Sequence, residues 1–489
     1  MDWKEFKQKL AETGNNFDWQ LLEKAAKFAT LAKGEKNLDH NFAAASKLVE
    51  LKVVDSKTLA VAILHDVTDL GAANFSDLQG DFGEEIANLV KKVVELKVIK
   101  FGVGQTEQFA ENLRKMFLSM ARDVRVVLIK QVDIFDNLKN PEKLDSTTRE
   151  NLARETLEIF APLAGRLGIG ELKGQLEDLA FPIVDPVNFT WLIKFSKKAY
   201  GQTNKQLLKV KAELITGLKE AGIKAEIAGR KKHIYSLYKK LARPDIGKNL
   251  SKVYDLVALR VIVESVEDCY KVLGIVHKLW RPLPDYVRDY IAAPKPNGYQ
   301  SLHTTVFGLA NRPFEVQIRT QDMHELAEFG IAASWYYSEQ KAKTVKDTTI
   351  QAGFILQGEK LNWLKQLEDW QKEASGTLEF LKGLKHDIFA DRVFVFTPKG
   401  DVKDLPQGST SVDFAYSIHT KLGDNCAGAK VDGKLVPLDY QLKTGQVVEI
   451  IPDRSGKHKP SAHWLEFVKT NLAKGNIKKF VKGENFGKD

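Results

Sequence analysis

The stretch Tyr254-Asp255-Leu256-Val257-Ala258-Leu259-Arg260-Val261-Ile262-Val263 carries an apolar run interrupted by one arginine. A short, valine-rich apolar run bounded by polar residues reads as a buried strand, here Leu256 to Val263. The pattern around it alternates. Ala225-Glu226-Ile227 reads as a short strand, Ile234 to Leu241 as a helix, and Ser265 to Leu279 as a helix opened by a Ser265/Asp268 capping pair. Thr304 to Phe307 and Pro313 to Ile318 are further strands, and Asp322 to Tyr337 is a helix. Strands and helices in alternation imply an α/β sheet with helices packed on it.

Polar residues gather where these strands end. Gly229-Arg230-Lys231-Lys232-His233 lies between a strand and a helix, and the spacing predicts that Lys232, Ser236 and Lys240 share one helical face. Arg230, Lys232 and Lys240 together suit a triphosphate, although a solvated basic helix has the same pattern. Asp255 precedes the central strand, and Glu315 lies in Phe314-Glu315-Val316-Gln317-Ile318-Arg319. Carboxylates on neighbouring strands can hold Mg²⁺ against phosphate oxygens.

Ala293-Pro294-Lys295-Pro296-Asn297-Gly298-Tyr299-Gln300-Ser301-Leu302-His303 is a loop that two prolines and a glycine exclude from regular helix or central strand. It offers a cation, an amide, an aromatic ring and an imidazole. That set suits a phosphorylated base, or it decorates a turn.

Before residue 223 the periodicity is helical. Asp18 to about Arg166 reads as an all-α domain, in which Leu113, Phe117, Met120 and Val124 recur at helical spacing. His40, the pair His65-Asp66 and Asp133 lie on or at the ends of its helices. Two imidazoles and two carboxylates suit a divalent metal of the Mn²⁺ type, or His65 is an ordinary core histidine. Helical spacing continues from Gly170 to about Gly222, with breaks expected at Phe181-Pro182 and Asp185-Pro186. After the sheet comes a charged helical linker with Trp363, Leu367 and Trp370 as its apolar stripe. Arg392 to Phe396 is then a strand, Ser411 to Leu422 a short helix, and the Asp432-Gly433 turn joins two more strands. One small sheet carrying one helix fits a β-grasp fold.

The totals agree. A chain of 489 residues is too long for one core, and a formal charge of +9 favours phosphate-bearing partners. Two distant cysteines, Cys269 and Cys426, exclude a cysteine-based zinc knuckle and a disulfide scaffold. The charged N-terminus and the lack of a long apolar run lead us to expect a cytoplasmic protein with no membrane partner.

Gly229 to Lys240, Tyr254 to Arg260, Asp289-Tyr290-Ile291-Ala292, Asn297 to Thr305 and Glu315 to Thr320 resemble, in order, the synthetase motifs of the RelA/SpoT homologue family. Ala60 to Val67, Phe82 to Ile86, Asn112 to Met116 and Ala161 to Ile169 resemble its HD-type metal-hydrolase domain. Thr397 to Asp401, Asp413 to Thr420 and Val436 to Tyr440 resemble its TGS domain. The resemblance implies domains at 1–168 (helical, HD-type), 169–222 (connecting helices), 223–340 (synthetase), 341–390 (helical linker), 391–453 (TGS) and 454–489 (basic tail). The chain as given is expected to be a short form ending after TGS.

The resemblance further implies transfer of pyrophosphate from ATP to the 3′-hydroxyl of GDP or GTP, giving ppGpp or pppGpp. Arg230, Lys232 and Lys240 would hold ATP, and Asp255 and Glu315 would bind Mg²⁺. Glu315 would also take the acceptor's proton, Tyr299 would stack on guanine, and Lys295, Asn297 and His303 would orient the acceptor. His40, His65, Asp66 and Asp133 would bind Mn²⁺, and the histidine matching His419 meets the tRNA 3′ end in ribosome-associated relatives. Contact with tRNA or the ribosome has no further support in the sequence.

Three departures point to weak or absent ppGpp hydrolysis. The family's Glu-Asp pair reads Asp69 and Leu70, the loop Gly34 to Asp39 is abbreviated, and Asp-Arg-Leu-His-Asn reads Asp133-Ile134-Phe135-Asp136-Asn137. Two rivals stay open, a bifunctional synthetase and Mn²⁺-dependent hydrolase, and a non-catalytic regulator binding guanine nucleotides or tRNA.

Overall fold

The structure is a computed structural model, and it describes residues 1–34, 38–68, 73–98, 111, 116, 123–244, 246–295, 297–308, 313–330, 392–453, 455 and 459–485. Asp69, Leu70, Leu113, Phe117, Met120, the linker 341–390 with its tryptophan stripe, and Glu35, Lys36 and Asn37 of the Gly34 to Asp39 loop lie outside the described residues.

The N-terminal unit is helical: α1 (Trp3–Glu12), α2 (Trp19–Lys33), α3 (Asp39–Glu50), α4 (Ser56–Leu64), α5 (Phe75–Val98), α6 (Val124–Lys139), α7 (Ser146–Glu155) and α8 (Ala161–Arg166). Aspartates start many of them. Asp2, Asp18, Asp55, Asp123 and Asp145 each accept from backbone N–H groups of the first turn that would otherwise be orphaned. A π-helical turn, Thr156–Phe160, links α7 to α8. The apolar faces close one core through Phe6, Leu22, Leu48, Ile63, Val90 and Ile129.

Two long helices follow, α9 (Gly170–Val184) and α10 (Pro186–Glu220). The expected break at Phe181-Pro182 does not occur: α9 runs through Pro182 and ends two residues later. A proline in the last turn disturbs one i→i−4 bond where the helix is ending anyway. The break at Asp185-Pro186 is real, with Asp185 capping α10 and Pro186 in its first turn. Leu172, Leu176 and Ala180 of α9 belong to the helical-domain core, whereas Leu207, Val210, Leu214 and Leu218 of α10 pack under the sheet.

That sheet contains β1 (Ala225–Lys231), β2 (Val257–Val263), β3 (Arg288–Asp289), β4 (Leu302–Phe307) and β5 (Pro313–Thr320) in the order β1-β2-β5-β4-β3. Only β2 and β5 are parallel; the other neighbours are antiparallel. Helices α11 (Ile234–Leu241), α12 (Val266–Leu279) and α13 (Gln321–Phe329) complete the unit. Residues expected to continue α13 beyond Gly330 lie outside the described set.

Side chains alternate across a strand. Val257, Leu259, Val261 and Val263 therefore join Val316 and Ile318 in the core with α10 and α12. Arg260, Gln317 and His303 are cross-strand neighbours on the opposite face, with Glu315 and Arg319 flanking Gln317 at period two. One face is hydrocarbon; the other carries the charge.

The third unit has β6 (Arg392–Phe396), β7 (Val402–Pro406), α14 (Ser411–Ile418), α15 (Thr420–Asp424), β8 (Cys426–Val431), β9 (Lys434–Val436) and β10 (Val448–Pro452). Two corrections arise here. The single helix expected from Ser411 to Leu422 is split by an extended His419, whose Nδ1 accepts from the Lys421 N–H to start α15. The single sheet is two, β6-β7 and β10-β8-β9, joined by a Phe396/Val447 bridge. Within 454–489, expected as a basic tail, the described residues 459–485 fold back: α16 (Asn471–Asn485) brings Ala473 and Ile477 onto Val412 and Tyr416, with Trp464 and Val468 alongside. Buried Asp413 accepts from the Lys469 and Thr470 N–H groups.

Candidate active site

Asp255 sits two residues before β2 and accepts from Lys232 Nζ at 2.8 Å and Lys240 Nζ at 2.7 Å. Lys232 precedes α11 rather than lying in it, so the predicted shared helical face is not what unites the two lysines. They meet because one carboxylate draws both. Burial would raise the Asp255 carboxyl, but the two ammonium groups outweigh it and hold it down at about 2. Arg230 lies in β1 opposite Ala258, one alternation from Arg260.

Glu315 faces the same space from β5. Burial and Asp255 oppose its charge, yet the His303 hydrogen bond keeps its carboxyl below the usual range. His303 Nδ1 lies 2.6 Å from Glu315 Oε1, and His303 Nε2 lies 2.7 Å from the Tyr299 hydroxyl. An ionised Glu315 accepts from the Nδ1–H, which leaves Nε2 to pair with the Tyr299 hydroxyl. The chain Tyr299–His303–Glu315 is continuous.

The loop before it is a built turn. Gly298 adopts φ 77° and donates to the Lys295 carbonyl, while Asn297 Oδ1 accepts from the Tyr299 N–H at 3.2 Å. Lys295 Nζ stands 4.4 Å from the Tyr290 ring centre, 4.9 Å from Tyr299 and 5.4 Å from Phe394 of the third unit. Burial pushes this ammonium below its ordinary range, with Glu315 acting against that shift. Beside it opens a cavity of about 370 Å³ lined by Arg288, Tyr290, Lys295, Phe394 and Gln446 among others. That size falls within the range of small-molecule pockets.

Sequence reasoning missed the other members of this polar face. Arg260 and the fully buried Arg319 both donate to Glu328 Oε1, at 2.8 and 2.9 Å. The signal was present: Glu315, Gln317 and Arg319 alternate on one strand, the spacing that puts them on one face.

In the helical unit, ligand atoms of His40, His65 and Asp133 lie within 4.8 Å of one another. His65 Nδ1 donates to the Ala62 carbonyl at 2.7 Å, which turns Nε2 toward Asp133 at 3.8 Å. Burial disfavours a charged His40, but hydrogen bonds to Asp133 (3.0 Å) and Asp136 (2.7 Å) prevail and raise it to about 9. Two imidazoles and a carboxylate fit a divalent metal, with Asp136 as the partner that orients one imidazole. Asp136 was overlooked, although three residues from Asp133 is one helical turn. Asp66 is not among these three: its carboxylate pairs with Lys33 and accepts from Asn41 Nδ2 at 2.6 Å. His419 is exposed on the third unit. No helix among the described residues is long and apolar enough to cross a membrane.

Comparison with known proteins matches all three units. Residues 19–170 match the HD domain, 229–342 the region found in RelA / SpoT proteins, and 393–452 the TGS domain. A GTP pyrophosphokinase of Myxococcus xanthus is 43% identical over 451 residues, 92% of this chain and 58% of that protein. A GTP pyrophosphokinase of Streptomyces coelicolor is 41% identical over 472 residues, 95% of this chain and 55% of the relative. The bifunctional (p)ppGpp synthase/hydrolase SpoT of Escherichia coli K12 is 41% identical over 453 residues, 93% of this chain and 62% of that protein. The chain thus spans a little over half the length of the curated relatives it matches. With three family domains in the expected order and relatives aligned along nearly all of its length, the chain belongs to the RelA/SpoT homologue family.

Proposed function

We propose that the mixed-sheet unit transfers pyrophosphate from ATP to the 3′-hydroxyl of GDP or GTP. The acceptor 3′-oxygen bonds to the β-phosphorus of ATP, the bond from that phosphorus to the α–β bridging oxygen breaks, and AMP leaves. Glu315 takes the hydroxyl proton. The observation that carries the reading is the Tyr299–His303–Glu315 chain facing Asp255 and its two lysines. A transfer with little covalent participation by protein needs two anionic substrates aligned and their charge balanced.

Arg230, Lys232 and Lys240 hold the triphosphate, and Tyr299 stacks on guanine. Lys295, Asn297 and His303 orient the acceptor. Asp255 and Glu315 have the hard oxygen donors Mg²⁺ prefers, and when bound it supplies charge neutralisation at the transferring phosphates. The pure-binder reading gives no use for a partly buried, ionised glutamate aligned through a histidine to the acceptor loop.

For the helical unit, His40, His65 and Asp133 would hold Mn²⁺, which supplies an activated water; Asp66 would join only after leaving Lys33. We infer weak or no hydrolysis from this pairing and from the replaced acid pair at Asp69 and Leu70. The converging donors nevertheless keep the bifunctional reading as its rival. Incubation with ATP, GDP and Mg²⁺ should yield AMP and ppGpp in equal amounts, and separate incubation with ppGpp and Mn²⁺ should release little pyrophosphate. Absence of the first product removes the synthetase reading, and rapid release in the second restores the bifunctional one.

A further inference from the structure

Lys232 and Lys240 need a scaffold, because one precedes and the other lies in the last turn of a short helix whose own N-cap residue, His233, makes no side-chain capping bond. The missing cap comes from another element. Asp178 of α9 accepts from the Tyr235 N–H at 3.0 Å through Oδ1 and from His233 Nδ1 at 2.8 Å through Oδ2. Glu171 stands two turns back on the same side of α9, 3.9 Å from His233 Nε2.

Gly174 completes the seat. A Cβ there would stand 2.2 Å from His233 Cδ2 and 2.3 Å from Nε2, so the imidazole occupies space that any other residue would fill. Buried Glu177, next to Asp178, accepts from Lys239 at 2.9 Å and Ser236 at 3.3 Å. The opposite stripe of this helix, Leu172, Leu176 and Ala180, is fixed in the helical-domain core. One helix thus grips the lysine-bearing segment with one face and the neighbouring domain with the other.

We propose that Asp178 is a positioning residue of the donor-nucleotide site, holding Lys232 and Lys240 in register through His233 and the first turn of α11. The inference rests on the assignment of these lysines to ATP. It concerns the donor side: Lys295, Asn297 and Tyr299 lie in the loop between β3 and β4, beyond β2 and β5 in the sheet order.

The test is calorimetric titration of Asp178→Ala, Gly174→Ala and wild type with a non-hydrolysable ATP analogue plus Mg²⁺, and separately with GDP. Loss of one helix cap corresponds to about a fivefold change, and both variants should weaken analogue binding by at least that factor while GDP affinity stays within about twofold. Asp178→Asn keeps an oxygen for the Tyr235 N–H and should recover part of the loss. Steady-state kinetics should show the same split, with KM for ATP raised and KM for GDP unchanged. Analogue binding equal to wild type in both variants, or parallel loss of analogue and GDP, overturns the inference. Wild-type protein that binds the analogue tightly but makes no ppGpp would sink the synthetase reading and leave the positioning role standing.

Discussion

Asp255, partly buried, and Asp133, buried, are both carboxylates beside lysine, yet the two sites around them are assembled in different ways. Around Asp255 the partners come from strand ends and one sheet face, where period two makes a motif such as Glu315-Val316-Gln317-Ile318-Arg319 deliver alternate residues to one place. Around Asp133 three helices must converge, and neighbours in sequence diverge. His65 turns toward Asp133, whereas Asp66, the next residue, turns toward Lys33 and Asn41. His65 caps the end of α4 and Asp66 lies in the turn beyond it, so a His-Asp pair is no guarantee of two ligands at one ion.

The largest effect expected is on the sheet side. Glu315→Gln keeps the shape and removes the base, and turnover should fall about 100- to 10 000-fold while the melting temperature is nearly kept. AMP formation from ATP and GDP is the measurement. Near wild-type turnover would move the base to another group and make the two sites equally uncertain.

On the helical side, Lys33→Ala removes the cation that holds Asp66. Mn²⁺ affinity, followed by electron paramagnetic resonance, should tighten on the order of tenfold as Asp66, no longer paired with Lys33, turns toward the ion. Unchanged affinity would mean that Asp66 contributes nothing to the metal, and the contrast between the two sites would then be one of ligand number and not of orientation.

The fold was legible wherever periodicity is local. Val257 to Val263, Ile234 to Leu241 and Val266 to Leu279 emerged close to their observed bounds, and the Ser265 cap accepts from the Asp268 N–H as its spacing implied. What was hidden depends on distance along the chain. Asp178 serves His233 from 55 residues away, and Lys295 meets Phe394 only after the third unit docks. Pro182 misled because a proline's effect depends on how much helix follows it, and His419 because helix resumes directly after it and so concealed one extended residue. The fold-back of residues 459–485 was readable in Trp464, Val468, Ala473 and Ile477, but the lysines around them drew the reading toward a solvated tail.

The smallest effect tests the joint between the two regions. Hydrogen bonds to Asp178 and then Glu171 outweigh burial and raise His233 from 6.5 to about 9, so its charged form is favoured by folding. A group raised in this way stabilises the fold fully below its unfolded value near 6.5 and loses that contribution as pH climbs through 9. Asp255 behaves oppositely: held at about 2, it contributes above its unfolded value near 3.8 and fails only as pH falls toward 2. Thermal melts of wild type and His233→Gln should therefore differ by a few degrees at pH 6.5 and converge by pH 9.5, while an Asp255→Asn comparison stays constant across that interval. A His233 gap that does not narrow would show that the imidazole is held by shape alone, through the Gly174 notch, and that the charge on Asp178 matters only to the cap of α11.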